Sequence, residues 1–223
     1  MYKGLSITVI IPCLNEEQGI EQILRAMPEF VDEVVVVDNN STDRTSEVAE
    51  ALGAKVVREE IRGYGRAYKR RFATATSDII ITLDGDHSYP VDALSYLIEA
   101  FRHLEVDFLN ASRFPVRDAR AMSFKNKFGN LLLSTVMSLL FFRWVRDSQS
   151  GMWVFRRSIL KEMRLESDGM AFSEEIKIEA ILTGVRFGEI SIQYSSRLGE
   201  TKLNAWRDGF QNIAFLLKKR FLR

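Results

Sequence analysis

The sequence predicts an α/β fold: a mostly parallel sheet with helices on both faces. Short, nearly all-apolar runs rich in valine and isoleucine recur at 6–11, 34–37 and 78–83, as strands buried on both faces require. Stretches with apolar residues at helical spacing alternate with them, which is the signature of parallel strands joined by crossover helices. The run at 78–83 stops abruptly on two carboxylates, Asp84 and Asp86, held one residue apart by Gly85. The carboxyl end of a central strand is where open α/β sheets place their ligands.

The elements follow in order. Residues 6–11 form a first strand ended by Pro12, and Ile20, Ile23, Leu24 and Met27 mark the helix after it. Residues 34–37 form a second strand, followed by D-N-N-S-T-D-R-T and a helix through Val48, Ala49 and Leu52 that Gly53 stops. A third strand spans 55–58, with a helix beginning around Gly65. After the strand at 78–83, Pro90 suits the first turn of a helix carrying Leu94, Leu97, Ile98 and Phe101. Residues 108–111 form another strand. The second half is less regular: a basic loop at 113–127, an apolar helix at 126–142, strands at 154–156 and 187–194, and a helix around 174–182 between them. A final helix from 204 carries Trp206, Phe210, Ile213, Leu217 and Phe221 on one stripe, with Lys218, Lys219, Arg220 and Arg223 crowding its end.

A chain of 223 residues without repeats or low-complexity linkers is expected to form one domain. Its net charge of +1 gives no overall attraction to nucleic acid, and none is expected as a partner. The single cysteine, Cys13, excludes an intramolecular disulfide framework and fits a reducing compartment; at a strand end it reads as a packed residue rather than a nucleophile. Residues 1–6 lead directly into a strand, so no secretory leader is expected, and no apolar run reaches 18 residues, so no spanning helix is expected either.

Four loops follow strand ends in the first half: 12–17, 38–43, 63–68 and 84–86. In a parallel sheet they converge on one edge. Asp84 and Asp86 offer hard oxygens suited to Mg²⁺ or Mn²⁺, the metals that commonly neutralise a bound diphosphate. Taken alone, an Asp-x-Asp serves equally well as a turn or helix cap. Asp38 suits hydrogen bonds from a ribose or base edge, while Ser41 or Asp43 supplies a helix cap. Gly63-x-Gly65 lacks a third glycine, with Tyr68 in that place, so a dinucleotide fingerprint fits poorly. Gly65 with Arg66 at a helix start still suits phosphate or sugar contact.

The strings V-I-I-P-C-L-N-E-E, V-V-D-N-N-S-T-D-R-T, G-Y-G-R-A-Y and L-D-G-D together resemble the nucleotide-sugar half of family-2 glycosyltransferases with the GT-A fold. S-R-F at 112–114, D-S-Q-S-G-M-W-V-F at 147–155, F-S-E-E at 172–175 and R-L-G-E-T-K-L at 197–203 resemble the dolichyl-phosphate mannose synthase group, which makes polyprenyl-phosphate sugars. The resemblance divides the chain into a nucleotide-sugar half, 1–111, and an acceptor half, 112–223. It implies that Asp84 and Asp86, flanking Gly85, bind the metal on a GDP- or UDP-linked donor, and that Pro12, Asn15, Glu16 and Asp38 line the nucleotide pocket. Arg197 and Lys202 would close over the diphosphate and leaving group, an electrostatic role suited to cations. Arg113 matches an arginine that receives the lipid phosphate, and Lys127 and Asn130 fall where the family has an arginine and a polar partner. Lys127 is a departure, a point charge in place of a bidentate fork; Ser88, where mannose synthases often carry glutamine, is a second.

A phosphate monoester acceptor is already anionic near neutral pH and needs no strong general base. It needs cations that hold two negatively charged reactants together. Direct displacement with inversion at the sugar carbon is the expected chemistry. The apolar helix at 126–142 and the basic final helix read either as core or as interfacial segments; with the resemblance added, peripheral docking on the cytoplasmic face of a membrane is expected. Two rival readings stand beside this one. A transferase with a saccharide or other hydroxyl acceptor would use Asp147 as base, and a non-catalytic nucleotide- or lipid-binding module would use the crevice without turnover.

Overall fold

The computed structural model describes residues 1–118, 120–199 and 205–222, with side chains in the last stretch from 209 onward. Among these residues seven strands form one sheet: β1 (Ile7–Cys13), β2 (Glu33–Asp38), β3 (Lys55–Arg58), β4 (Ile79–Thr82), β5 (Phe108–Ser112), β6 (Trp153–Arg156) and β7 (Phe187–Ser191). Their spatial order is β3-β2-β1-β4-β6-β5-β7. All pairings are parallel except those of β6, which runs antiparallel to both β4 and β5. The chain order reverses direction across the sheet between β1 and β4, which makes the gap above their carboxyl ends the switch point where such folds bind ligands. This is the GT-A architecture the motifs imply.

Among the described residues seven α-helices cover the sheet: α1 (Glu17–Arg25), α2 (Thr45–Ala51), α3 (Tyr64–Phe72), α4 (Ala93–His103), α5 (Phe124–Phe141), α6 (Phe172–Leu182) and α7 (Ala205–Phe221). Because side chains alternate along a strand, β1 sends Ile7, Val9 and Ile11 into one core layer and Ile10 into the other. The first layer is closed by Ile20 and Ile23 of α1 and by Leu94, Leu97, Ile98 and Phe101 of α4. Each such buried side chain contributes about 1.5–3 kcal/mol of transfer free energy. The second layer packs α3, α5, α6 and α7 against Ile80, Phe108, Trp153 and Phe155, with Tyr68 stacked at 5.6 Å on Phe172.

Several elements differ in detail from the sequence reading. α4 starts at Ala93, with the Pro90 carbonyl accepting the Ala93 amide, so proline sits in the turn before the helix. The stretch expected as a basic loop becomes helical at Phe124, where the Ser123 hydroxyl accepts the Asn126 amide. In α7, Phe210, Leu217 and Phe221 face solvent, whereas Leu216 and Asn212 face the core. Helix α6 departs furthest from an amphipathic pattern: Glu174, Glu175, Lys177 and Glu179 are all buried. Lys219 of α7 satisfies two of those acids, at 3.0 Å from Glu175 and 2.9 Å from Glu179.

Candidate active site

Four loops at the carboxyl edge are knitted to one another. After β1, the Asn15 side-chain oxygen accepts the Thr42 amide at 2.7 Å, and the Asn15 amide donates to the Ser41 hydroxyl. Asp43 accepts the Glu17 amide with one oxygen and the Thr45 amide with the other, so it caps α2 while tying it to α1. Asp38 is buried, with its oxygens taken by the Ser41 amide at 2.9 Å and the Ser46 hydroxyl at 2.6 Å. Burial pushes its carboxyl up, but these hydrogen bonds and Arg58 hold it below the ordinary value. Asn39 accepts the Gly63 amide at 2.7 Å and so joins the second loop to the third. Asn15, Asn40 and His87 all adopt left-handed backbone, at φ 53°, 66° and 61°, one in each of three loops bordering the crevice. Asparagine tolerates that conformation; histidine does so less readily, and strain of this kind collects at functional edges.

The acid pair sits at the centre. Asp84 accepts one hydrogen bond, from the Tyr64 hydroxyl at 3.1 Å, among the described residues. Its carboxyl is pushed up to about 7, first by burial and then by the charge of Asp86, against the pull of Tyr64, Arg113 and Arg197. Asp86 accepts the Ser88 amide and hydroxyl with one oxygen. Its other oxygen faces Arg197 at 3.4 Å, and Arg197 also donates to Glu16 at 2.9 Å. The Leu198 amide donates to the Asp86 carbonyl, so the loop after β7 is fastened over the acid pair.

Two desolvated carboxylates beside one another suit a cation, and the backbone around them is drawn in tightly. Position 151 is glycine; a Cβ there would lie 2.8 and 3.0 Å from the Asp84 oxygens and 2.5 Å from the Tyr64 hydroxyl. Gly85 is equally constrained, since a Cβ would lie 2.4 Å from the Cys13 sulfur. Among the described residues no group of three or more acidic, histidine or cysteine side chains converges. Two protein carboxylates are what Mg²⁺ or Mn²⁺ uses when substrate phosphates and water complete its shell, so these residues fit such an ion.

A second cluster is built around Asp147. This buried carboxylate accepts the Arg113 amide, Nε and Nη2 at 2.8 Å each, the Asn130 amide nitrogen at 3.1 Å and the Gln149 backbone amide at 3.2 Å. Burial pushes the Asp147 carboxyl up, but Arg113 outweighs it and holds the group below the ordinary value. The guanidinium also lies 5.4 Å from the Tyr194 ring. Among the described residues its Nη1 makes no hydrogen bond. Lys127 stands half-buried in the first turn of α5, near Asp118. Arg66 is turned to Asp168 at 2.6 Å, and Gly65 lets Phe172 and the Ser167 carbonyl close on α3. Pro12 is half-buried in β1 beside the Gly85 turn. Lys202 lies outside the described residues.

Sequence reasoning missed several contributors. Tyr64 was visible only as part of a glycine-containing turn, and Gly151 only as part of a quoted string. Gly19 of α1 is a third: a Cβ there would lie 2.2 Å from the Gly85 carbonyl, so its absence lets α1 press against the acid loop. The common signal is glycine where a helix or strand has no local need of it.

The sheet order and the paired carboxylates at its switch point match the GT-A class of fold. The family model for glycosyl transferase family 2 matches residues 8–164. The chain belongs to that family and is a glycosyltransferase. It is 31% identical over 206 residues to a dolichyl-phosphate hexose transferase of Haloferax volcanii, covering 91% of this chain and 89% of that one. It is 32% identical over 219 residues to the low-salt glycan biosynthesis hexosyltransferase Agl6 of the same organism, covering 95% of this chain but 53% of the relative, so it spans about half that protein's length. Among solved structures, glucosyl-3-phosphoglycerate synthase of Mycobacterium tuberculosis, in complex with Mn²⁺, UDP and glucosyl-3-phosphoglycerate, superposes with a TM-score of 0.74 at 22% identity, covering 97% of this chain and 80% of that one. A further mycobacterial protein gives a TM-score of 0.81 at 21% identity, covering 97% and 75%. At these identities the likeness establishes the fold.

Proposed function

We propose that this enzyme transfers a hexose from a GDP- or UDP-linked donor to a polyprenyl phosphate of the dolichyl type, with inversion, while docked on the cytoplasmic face of a membrane. The observation that carries the reading is Arg113. A hydroxyl acceptor would need a base in the crevice, whereas this arginine, fixed by Asp147 and stacked near Tyr194, is suited to an anionic acceptor. The name of the Haloferax relative supports a dolichyl-phosphate acceptor. The Mn²⁺ or Mg²⁺ bound with UDP in the mycobacterial synthase supports a metal-assisted nucleotide donor.

Asp84 and Asp86 would hold the divalent ion, which supplies charge neutralisation of the donor diphosphate. The residues of the chain do the remaining work. Arg197, tethered by Glu16, lies beside the acid pair where negative charge builds on the leaving group. Arg113 brings the acceptor phosphate toward the sugar carbon and offsets the repulsion between two anions. Asn15, Asp38 and Asn39 keep the loops that frame the nucleotide in one arrangement. Asp147 is poorly placed to serve as a base for a hydroxyl acceptor, because five donors already occupy its oxygens.

No helix among the described residues is long and apolar enough to cross a membrane. Docking rests instead on a solvent-facing apolar stripe: Phe124, Phe128, Leu131, Leu139 and Phe142 on and just after α5, and Phe210, Leu217 and Phe221 on α7. Lys218 and Arg220 border it. The test is a screen of GDP- and UDP-sugars with a short polyprenyl phosphate, with and without Mn²⁺ or Mg²⁺. Metal-dependent formation of a β-linked lipid product from an α-linked donor, read by NMR, is expected. Donor consumption only with soluble sugars, or no consumption at all, overturns the proposal.

A further inference from the structure

Beneath the acceptor side lies a lysine that the chemistry above does not use. Lys177, in the middle of α6, is wholly buried. Its ammonium donates to three backbone carbonyls, Ser148 at 2.9 Å, Ser150 at 2.7 Å and Ser173 at 2.7 Å, and lies 5.0 Å from the Trp153 ring. Three donors, three acceptors and an aromatic face satisfy the group fully. Yet no described carboxylate lies within ion-pair distance of it, although Glu174 stands one helical turn earlier with neither oxygen hydrogen-bonded. Burying a cation without a paired anion is expensive, and proteins tolerate it where it accomplishes something apolar packing cannot.

What it accomplishes follows from the carbonyls it holds. Ser148 and Ser150 are the middle of the turn 147–151. At one end of that turn is Asp147, which carries Arg113; at the other is Gly151, whose missing Cβ makes room beside Asp84. The turn's other ties include the Ser148 amide to the Ser134 hydroxyl, the Ser150 hydroxyl to the Ala111 carbonyl, the Gly151 amide to the Tyr89 hydroxyl, the Trp153 indole to the Ser150 carbonyl, the Thr82 hydroxyl to the Gly151 carbonyl and the Asn110 amide to the Asp147 carbonyl. Among the described residues, Lys177 alone grips two of its carbonyls at once, and it fastens them to a helix. A carboxylate cannot do this, and an apolar side chain would leave the Ser148 carbonyl without this donor in a buried place.

We propose that Lys177 is a positioning residue for the acceptor: its ammonium clamps the 147–151 turn onto α6, and through Asp147 it aims Arg113 at the acceptor phosphate. The inference rests on the acceptor reading above. In support, burial pulls the Lys177 ammonium down to about 7. The charged groups acting on it are Asp147 on the turn, Arg113 after β5, Glu174 on its own helix and Glu189 on β7.

The test compares wild type with Lys177→Met, which keeps the stem and removes the ammonium, using a short polyprenyl phosphate as acceptor. An acceptor KM raised between about ten- and a hundredfold is expected from misplacing the arginine. Affinity for the nucleoside diphosphate with Mn²⁺, by calorimetry, is expected to stay within about twofold, because Gly151, the turn residue beside Asp84, is held separately by the Tyr89 and Thr82 hydroxyls. Combining Lys177→Met with Asp147→Asn is expected to give less than the product of the two effects, because one residue acts through the other. If the Met variant does not fold, Lys177→Gln, which retains an amide donor, takes its place, with a smaller rise in acceptor KM expected. Equal losses on donor and acceptor, or fully multiplicative effects in the cycle, overturn the inference. If wild type itself does not use polyprenyl phosphate, the functional reading fails; if it does and neither variant moves the acceptor KM, only the Lys177 inference fails.

Discussion

Asp147→Asn probes a buried carboxylate that carries five donors. The carboxylate receives two donors on Oδ2, the Arg113 amide and Nε, and three on Oδ1, from Arg113 Nη2, Asn130 Nδ2 and the Gln149 amide. Asparagine keeps one oxygen and replaces the other with a donor, so two or three of these groups lose their acceptor whichever way the amide turns. Asp147 is 0% exposed and Arg113 12% exposed at the side chain, so solvent cannot make good the loss. Leaving a buried charge without its partner costs about 3–5 kcal/mol, which for a chain of this size lowers Tm by about 6–20 °C. The assay is urea unfolding with the midpoint and slope fitted separately, together with acceptor KM. The pH dependence has a definite sign. The folded carboxyl lies below its ordinary value, so wild-type stability from this group is present at neutral pH and is lost as pH falls through the depressed value. The variant lacks that acid limb. A loss under about 1 kcal/mol, as for an exposed pair, would refute the reasoning.

Gly151→Ala brings a Cβ within 2.8 Å of Asp84 and 2.5 Å of Tyr64; turnover is expected to fall about a hundredfold, whereas Gly209→Ala, which meets nothing within 4 Å, leaves it unchanged. Initial rates beside melting curves distinguish a displaced carboxylate from a failed fold. Glu174 has its carboxyl pushed up to about 8 by burial, against the pull of Lys177, from an ordinary 4.5. The folded chain therefore holds a proton that the unfolded chain gives up, stability declines between those two values as pH rises, and Glu174→Gln is expected to flatten that decline in a series of urea midpoints. Paired substitutions Leu139→Asp and Phe142→Asp, at side chains 70% and 83% exposed, are expected to weaken flotation with anionic vesicles by about tenfold per residue while leaving Tm nearly unchanged. Unaltered flotation would remove the stripe from the docking surface.

The strands were the legible part. Runs such as 78–83 carry enough apolar, β-branched residues to declare themselves, and the structure places β4 at 79–82 within that run. The candidate donor loops were legible for the same reason, because a residue just past a parallel strand reaches the carboxyl edge whatever surrounds it. Helix α6 was legible only as a helix. Its buried Glu174, Glu175, Lys177 and Glu179 look like a solvated face in the sequence, and only the arrival of Lys219 and the 147–151 turn makes burial possible. The stripe on α7 was legible as a stripe, but not how it divides: Ile213 packs against the core, Phe210, Leu217 and Phe221 face solvent, and Leu216, outside the stripe, is fully buried.

By itself the sequence determined the alternation of strand and helix, the acid pair at a strand end and the family whose motifs it carries, because each is a local pattern that chain geometry turns into position. Tertiary structure alone decided the reversed direction of β6, the capture of Arg66 by Asp168, and the convergence of Arg113, Asn130 and Gln149 on Asp147. Gln149 apart, these contacts join residues 17 to 102 positions apart whose pairing no local pattern records. The physical reason is the same in each case. A buried charge takes whichever partner the packing brings to it, and the packing is settled by the whole core rather than by the neighbours in the chain.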